Sequence, residues 1–181
     1  NKPILVIKSG RAPEGQRLAA IRSGAAIGSD AVYDAAIRRA GMLRVYSFGE
    51  LFAAVETLAR ARSMRGERVA MLTNGCGVAV MAIDALLLNG GRLAALGETD
   101  AEALANVVPE GWPRANPVTI ADNAPAEHYG IAARALLAAE GVDALMVLHA
   151  PTAMASSTDA AREVIKVAKE LRGNVLTSWM G

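Results

Sequence analysis

The chain has 181 residues, room for one domain or one domain and part of another, and its 52% apolar and 4% aromatic composition foretells a sizeable core of aliphatic side chains. A formal net charge of +1, with lysines and arginines scattered along the chain, gives no electrostatic case for nucleic acid or an acidic membrane surface. The single cysteine, Cys76, excludes an intrachain disulfide and points to a reducing compartment; with no stretch of membrane-spanning length and no visible signal peptide, the expected setting is cytoplasmic.

Pro3 to Ile7 reads as a short apolar strand, followed by the polar turn Lys8-Ser9-Gly10-Arg11. Ala12 to Gly28 is rich in small residues and weakly periodic, and is read as a loop with one helical turn near Gln16 to Ala20. Ser29 is placed as the cap of a helix from Asp30 to about Ala40 that Gly41 ends. Leu43 to Tyr46 is read as an extended link. Ser47 and Glu50 have capping-box spacing, and the helix behind them carries Leu51, Phe52, Val55 and Leu58 on one face. Arg60, Arg62 and Arg65 read as its solvated C-terminal end.

From Arg68 the chain alternates strand and helix. Val69 to Leu72 is a buried strand, Thr73 to Gly77 a tight turn, and Val78 to Leu88 a helix that Asn89-Gly90-Gly91 stops. Strands follow at Arg92 to Leu96, Pro117 to Ile120, Ala144 to Leu148 and Val175 to Trp179. The helices between them are announced by Thr99 to Glu102 as a second capping box, by Pro125 in a first turn, and by Ser157 or Thr158 as a cap. Five strands joined by helices imply a flavodoxin-like, doubly wound parallel sheet, with 2-1-3-4-5 as the order that suits five strands best. The strand at Pro3 to Ile7 is expected away from the centre of that sheet, at an edge, on another copy or loosely packed. Because the chain opens and closes in mid-element, it reads as an excerpt of a longer protein.

A strand that feeds a glycine turn and then a helix aims backbone N–H groups at one point, where the helix dipole adds partial positive charge. That makes Asn74, Gly75, Cys76, Gly77 and Val78 the candidate phosphate or carboxylate site, against the alternative of a tight connection without a ligand. The carboxyl ends of the strands also collect Asp122, Asn123, His149 and Thr152. Cys76 sits where a thiolate is stabilised, but no histidine neighbours it in sequence, and a small filler is the favoured reading. His149 follows a strand directly and is read as tied to neighbouring backbone rather than facing the crevice as a catalytic group, and His128 as a surface residue. No pair of residues has metal-ligand spacing. Neither a Walker lysine loop nor a complete dinucleotide fingerprint is present.

The first forty-five residues, with their Lys8-Ser9-Gly10-Arg11 and Gly28-Ser29-Asp30 segments, resemble the NDP-forming acyl-CoA synthetases, which include ADP-forming acetyl-CoA synthetase and succinyl-CoA synthetase. Thr73-Asn74-Gly75-Cys76-Gly77 is similar to that family's TNAGG-type turn, and Asn116-Pro117-Val118 to its NPVD segment. The resemblance implies that residues 1–28 end one flavodoxin-like domain and residues 29–181 form most of the next. It implies a CoA-binding domain upstream, an ATP-grasp domain in the same chain or on a partner, and acetyl-CoA with ADP or ATP as ligands of the parent protein. It also implies that the Thr73 to Val78 turn cradles a phosphohistidine. The family's SHTGA-type motif carries that histidine at its second position. Here Arg22 stands in its place, and Cys76 and Val78 replace a glycine and a proline of the turn. Guanidinium stays protonated and cannot carry phosphoryl.

These departures suggest a synthetase scaffold that has lost its ligase chemistry, and Val6 to Leu18, Asp34 to Val45, Glu50 to Ala59 and Asp143 to Ala153 resemble the degenerate synthetase region of bacterial protein lysine acetyltransferases, which carry a C-terminal GNAT domain. The favoured expectation is a non-catalytic regulatory or scaffold region of such an acetyltransferase, with other domains of its own chain as partners and homo-oligomerisation open to it. The alternative is part of a working ADP-forming acyl-CoA synthetase that makes ATP through a phosphohistidine.

Overall fold

The computed structural model describes residues 2–24, 28–61, 64 and 66–180. Expectations that rest on Asn1, Ala25, Ala26, Arg62, Arg65 and Gly181 lie outside the described residues. The chain divides into two compact units, Asn1–Arg60 and Ala61–Gly181.

The first unit holds β1 (Leu5–Ile7), α1 (Pro13–Ser23), α2 (Asp30–Arg39), β2 (Leu43–Val45) and α3 (Phe48–Arg60). β1 and β2 form a parallel two-stranded sheet in which Val6 lies opposite Arg44. The boundary expected between Gly28 and Ser29 therefore falls inside this unit. The supposed link at Leu43 is a strand; three residues are too few to show alternation, and the pairing that makes them a strand is with residues almost forty positions earlier. The supposed loop at Ala12 to Gly28 contains α1, a correction with a local cause. Pro13 opens the helix, Glu14 and Arg22 suit its two dipole ends, and Gly24 at φ +64° returns its N–H to the Ala20 carbonyl at 2.9 Å. Because Leu18 and Ile21 are both exposed, the helix has no buried stripe, and without a stripe there is no periodicity to read. The α3 start is as expected: Ser47 Oγ accepts from Glu50 N at 3.1 Å, while Glu50 reaches back to the Tyr46 N–H at 2.8 Å.

The second unit runs β3 (Arg68–Thr73), α4 (Cys76–Leu88), β4 (Arg92–Leu93), α5 (Glu98–Leu104), β5 (Val118–Thr119), α6 (Ala126–Ala138), β6 (Ala144–His149), α7 (Ser157–Leu171) and β7 (Val175–Trp179). All five strands pair in parallel, as the alternation of elements requires. The order differs from 2-1-3-4-5. β6 pairs with β3 along Val69 to Thr73, and β7 lies beyond β6. β4 and β5 share the other edge of β3, β4 beside Arg68 and Val69, β5 beside Leu72 and Thr73.

The gap between these two short strands is filled by one side chain. Asn116 Oδ1 accepts from Met71 N at 2.9 Å, and its Nδ2 donates to the carbonyls of Val69 and Ala94 at 2.8 and 3.0 Å. A primary amide offers one acceptor and two donors in the plane of a peptide, so it replaces a missing rung of the ladder. At the other edge, Asp143 accepts from the N–H and the guanidinium of Arg68, which fixes where β3 begins beside β6. The carboxyl of Asp143 is held down to about 2 by that arginine.

Alternate residues of the strands face opposite layers. Ala70, Leu72, Leu145 and Val147 pack with Leu104 of α5, Leu136 of α6 and Val164 of α7, while Val69, Met71 and Leu148 pack with Val78, Ile83 and Leu86 of α4. α4 thus covers one face of the sheet, and the other three helices cover the opposite face.

Candidate functional site

The strand β3 leads into α4 on one face, and its neighbour β6 leads into α7 on the other. The carboxyl ends of these two strands are therefore the switch point of the sheet, the place where doubly wound folds open a crevice. Here the crevice floor is closed by Asn74, which is buried: its Nδ2 donates to the Ala150 carbonyl at 2.7 Å and its Oδ1 accepts from Ala150 N at 2.8 Å. Nearby, Thr152 Oγ1 donates to the Asp122 carbonyl at 3.1 Å. Of the polar residues gathered here by sequence, Asn74 and Thr152 thus spend their side chains on the loops themselves.

The turn that opens α4 divides in the same way. Gly75 N donates to Thr73 Oγ1 at 3.0 Å, so this N–H is spent. Gly75 is the N-cap and accepts from Ala79 N with its carbonyl at 3.2 Å. Its approach to β6 is close; a Cβ there would lie 3.1 Å from Ala150 Cβ. Among the described residues, Cys76, Gly77 and Val78 have no recorded acceptor for their N–H groups, and no side chain caps the helix. Of the five residues singled out, these three supply free donors at a positive helix end, while Asn74 and Gly75 supply the shape. Cys76 is exposed rather than a filler. It borders a cavity of about 450 Å³ whose walls include Val80, Ile83, Trp112 and Thr119.

His149 lies 1% exposed at the end of β6, in a cluster not foreseen as a whole. Tyr129 Oη is 2.7 Å from Nδ1, Ser157 Oγ is 2.8 Å from Nε2, and the Trp179 ring stacks on the imidazole at 4.8 Å. Tyr129 is itself buried, and the two hydroxyls bracket the two ring nitrogens, so the neutral imidazole donates one of these hydrogen bonds and accepts the other. Burial pushes the imidazole below and the phenol above their usual ranges, so both stay neutral. His149 is a tie between α6, β6 and α7; the tie to neighbouring backbone expected from sequence is replaced by bonds to the Tyr129 and Ser157 side chains. His128 is partly exposed on α6.

Arg22 is exposed in the last turn of α1. Among the described residues, no group of three or more His, Cys, Asp or Glu side chains is arranged to hold a metal ion. No helix among them is long and apolar enough to cross a membrane.

Residues 1–58 match the family model described as the succinyl-CoA ligase like flavodoxin domain. The alpha subunit of the ADP-forming acetate–CoA ligase I of Pyrococcus furiosus is 36% identical over 91% of this chain and 36% of its own length. The ADP-forming 4-hydroxybutyrate–CoA ligase of Nitrosopumilus maritimus is 27% identical over 99% of this chain and 26% of its own length. Among solved structures, the dinucleotide forming acetyl-coenzyme A synthetase 1 of Ca. Korarchaeum cryptofilum, in complex with phosphate and ADP, superposes with a TM-score of 0.88 at 33% identity. The match covers 98% of this chain and 38% of that one. The chain thus spans little more than a third of the length of these alpha-subunit and solved-structure relatives. Its fold is the α/β, parallel-sheet fold of the succinyl-CoA synthetase-like flavodoxin domain found in ADP-forming acetyl-CoA synthetase structures.

Proposed function

We propose that this chain is a piece of an ADP-forming acyl-CoA synthetase-type protein, and that its part in the reaction is to hold a phosphate or phosphoryl group at the N-terminus of α4. The observation that carries this reading is the set of free N–H groups at Cys76, Gly77 and Val78, at the switch point of a sheet whose relatives are ADP-forming CoA ligases. Backbone donors and a helix dipole stabilise an incoming oxyanion without needing an ionisable side chain. Acetyl-CoA, ADP and phosphate are the substrates this reading assigns to the parent protein. The CoA-binding and ATP-grasp parts are assigned to other domains or subunits.

Arg22 favours a second reading. In the place of the family's phosphate-carrying histidine it cannot form a phosphoramidate, so phosphoryl transfer through this position is closed. A region with its cradle kept and its carrier lost suits a regulatory or scaffold role in an acetyl-CoA-dependent protein lysine acetyltransferase. Nothing in the relatives above supports that acetyltransferase.

The two readings separate in one assay. The full-length parent is incubated with acetyl-CoA, ADP and phosphate, and ATP and acid-labile phosphoprotein are measured. ATP formation that falls on Gly77→Asp, which sets a carboxylate among the free donors, supports the synthetase. Failure to form ATP, with intact acetylation of lysine on a protein substrate, supports the second reading and overturns the first.

A further inference from the structure

We propose that the first unit contains a second oxyanion site, unrelated to α4, at the N-terminus of α2 where β1 and β2 end. It takes a phosphate group, whether as the inorganic ion or as a monoester.

Three cations crowd this end of the unit. Lys8 Nζ lies 3.2 Å from Asp30 Oδ1, Arg44 Nη2 lies 2.6 Å from the same oxygen, and Arg11 Nε lies 3.9 Å from Asp30 Oδ2. Arg44 also bonds Asp34 at 3.1 Å, which Arg38 shares from the next turn. Four cations thus meet two carboxylates, and the cluster holds an excess of two positive charges. Lys8 and Arg44 are the enclosed members; their side chains are 14% and 6% exposed. Asp30 is left fully ionised, because Arg44 first and Lys8 second pull its carboxyl below the usual range.

The buried arginine is incompletely satisfied. Its two terminal nitrogens reach Asp34 and Asp30, but the buried Nε has no hydrogen-bond partner among the described residues. A guanidinium presents five donors, and an enclosed one without an acceptor carries a desolvation cost that an anion would relieve. The helix beside it is open in the same sense. Ser29 is the N-cap of α2, yet its side chain makes no capping bond, and among the described residues the N–H groups of Asp30 and Ala31 have no acceptor. The Tyr46 ring lies under both Arg11 and Arg44, at 4.4 and 5.0 Å, and holds the two guanidiniums at one place. An uncapped ten-residue helix and excess cationic charge meet at Asp30, and the guanidinium that carries the orphaned, enclosed donor is bonded to that same residue.

The site does not depend on the function proposed for α4, and the test separates them. The whole chain, labelled with nitrogen-15, is titrated with inorganic phosphate and, in a second arm, with phenyl phosphate, both at ionic strength matched with chloride. The Arg44 Nε–H resonance is expected to shift saturably at millimolar concentration in at least one arm, and the arm that shifts identifies the form of phosphate taken. Lys8→Met and Arg11→Met, both with an unchanged far-ultraviolet spectrum, are each expected to weaken the response at least about fivefold by removing one charge-assisted partner. Gly77→Asp in α4 is expected to leave it unchanged. No saturable shift in either arm, an equal shift with chloride alone, an undiminished response in both variants, or loss of the response in Gly77→Asp would each overturn the proposal.

Discussion

Asn116 shows how much one side chain can carry when its partners are backbone. Its three hydrogen bonds stand in for a rung between β4 and β5, and its partners are the backbone of β3 and of Ala94 just past β4. Asn116→Ala leaves the Met71 N–H without its acceptor beneath a fully buried residue, so the variant should lose about 2–3 kcal/mol in urea unfolding. A loss under about 0.5 kcal/mol would mean that water replaces the amide. His149 gives a prediction of a different kind. Its folded pKa is depressed by burial, whereas the unfolded imidazole titrates near 6.5. Below that value the unfolded chain binds the extra proton and the folded chain resists it, so stability falls as pH drops and recovers as pH rises. His149→Asn should flatten this acid-side slope between pH of about 7 and about 5, even though it is less stable at neutrality. An equal slope in both proteins would assign the effect to another group. Asn74 was legible as a crevice residue because strand ends collect polar side chains, whereas His149, at a strand end too, is turned to a buried cluster. Asn116 and the Arg68–Asp143 pair were not, because their roles exist only once segments far apart in sequence lie side by side.

At the scale of elements, the parts that announced themselves did so through local chemistry. Ser47 with Glu50 marked α3, and the apolar run with a glycine turn marked β3 and α4. Elsewhere local signals were displaced by a residue or two. The box read at Thr99 to Glu102 is closed by Asp100 accepting from Gly97 N at 2.8 Å, and α7 is capped by Ser156, which accepts from Asp159 N at 3.3 Å. Caps shift in this way because several small polar residues precede each helix and only the tertiary approach angle chooses among them. α1 was read as no more than one helical turn near Gln16 to Ala20, since Pro13 and Gly24 mark its ends but no apolar stripe runs between them. The α4 turn allows a direct probe of element stability. Gly77 lies in the first turn, and a Cβ there meets nothing within 4 Å. Gly77→Ala should therefore stabilise the chain by about 0.5–1 kcal/mol, through the entropy of the unfolded state and without touching the backbone donors. Destabilisation would show that the position is held in a conformation an L-residue resists.

For the molecule as a whole, the alternation of strand and helix correctly implied a parallel sheet with helices on both faces. It did not imply the strand order, because β4 and β5 are each two residues long and share one edge that a longer strand would fill alone. Nor did it imply that residues 1–60 would pack as their own unit, since β1 and β2 recognise one another only across two intervening helices. What the whole fold does for function is to bring α4 and α7 to opposite faces at adjacent strand ends, with Asn74 closing the floor between them. That leaves the N–H groups of Cys76, Gly77 and Val78 as the free donors of the α4 turn. The most direct test of their role is a phosphate titration of the nitrogen-15-labelled chain, followed at these three amides against a chloride control of equal ionic strength. Saturable shifts at Cys76, Gly77 and Val78, with Gly75 moving less because Thr73 holds it, are the predicted result. Three amides that stay in place throughout the titration would contradict the assignment of α4 as a phosphate cradle.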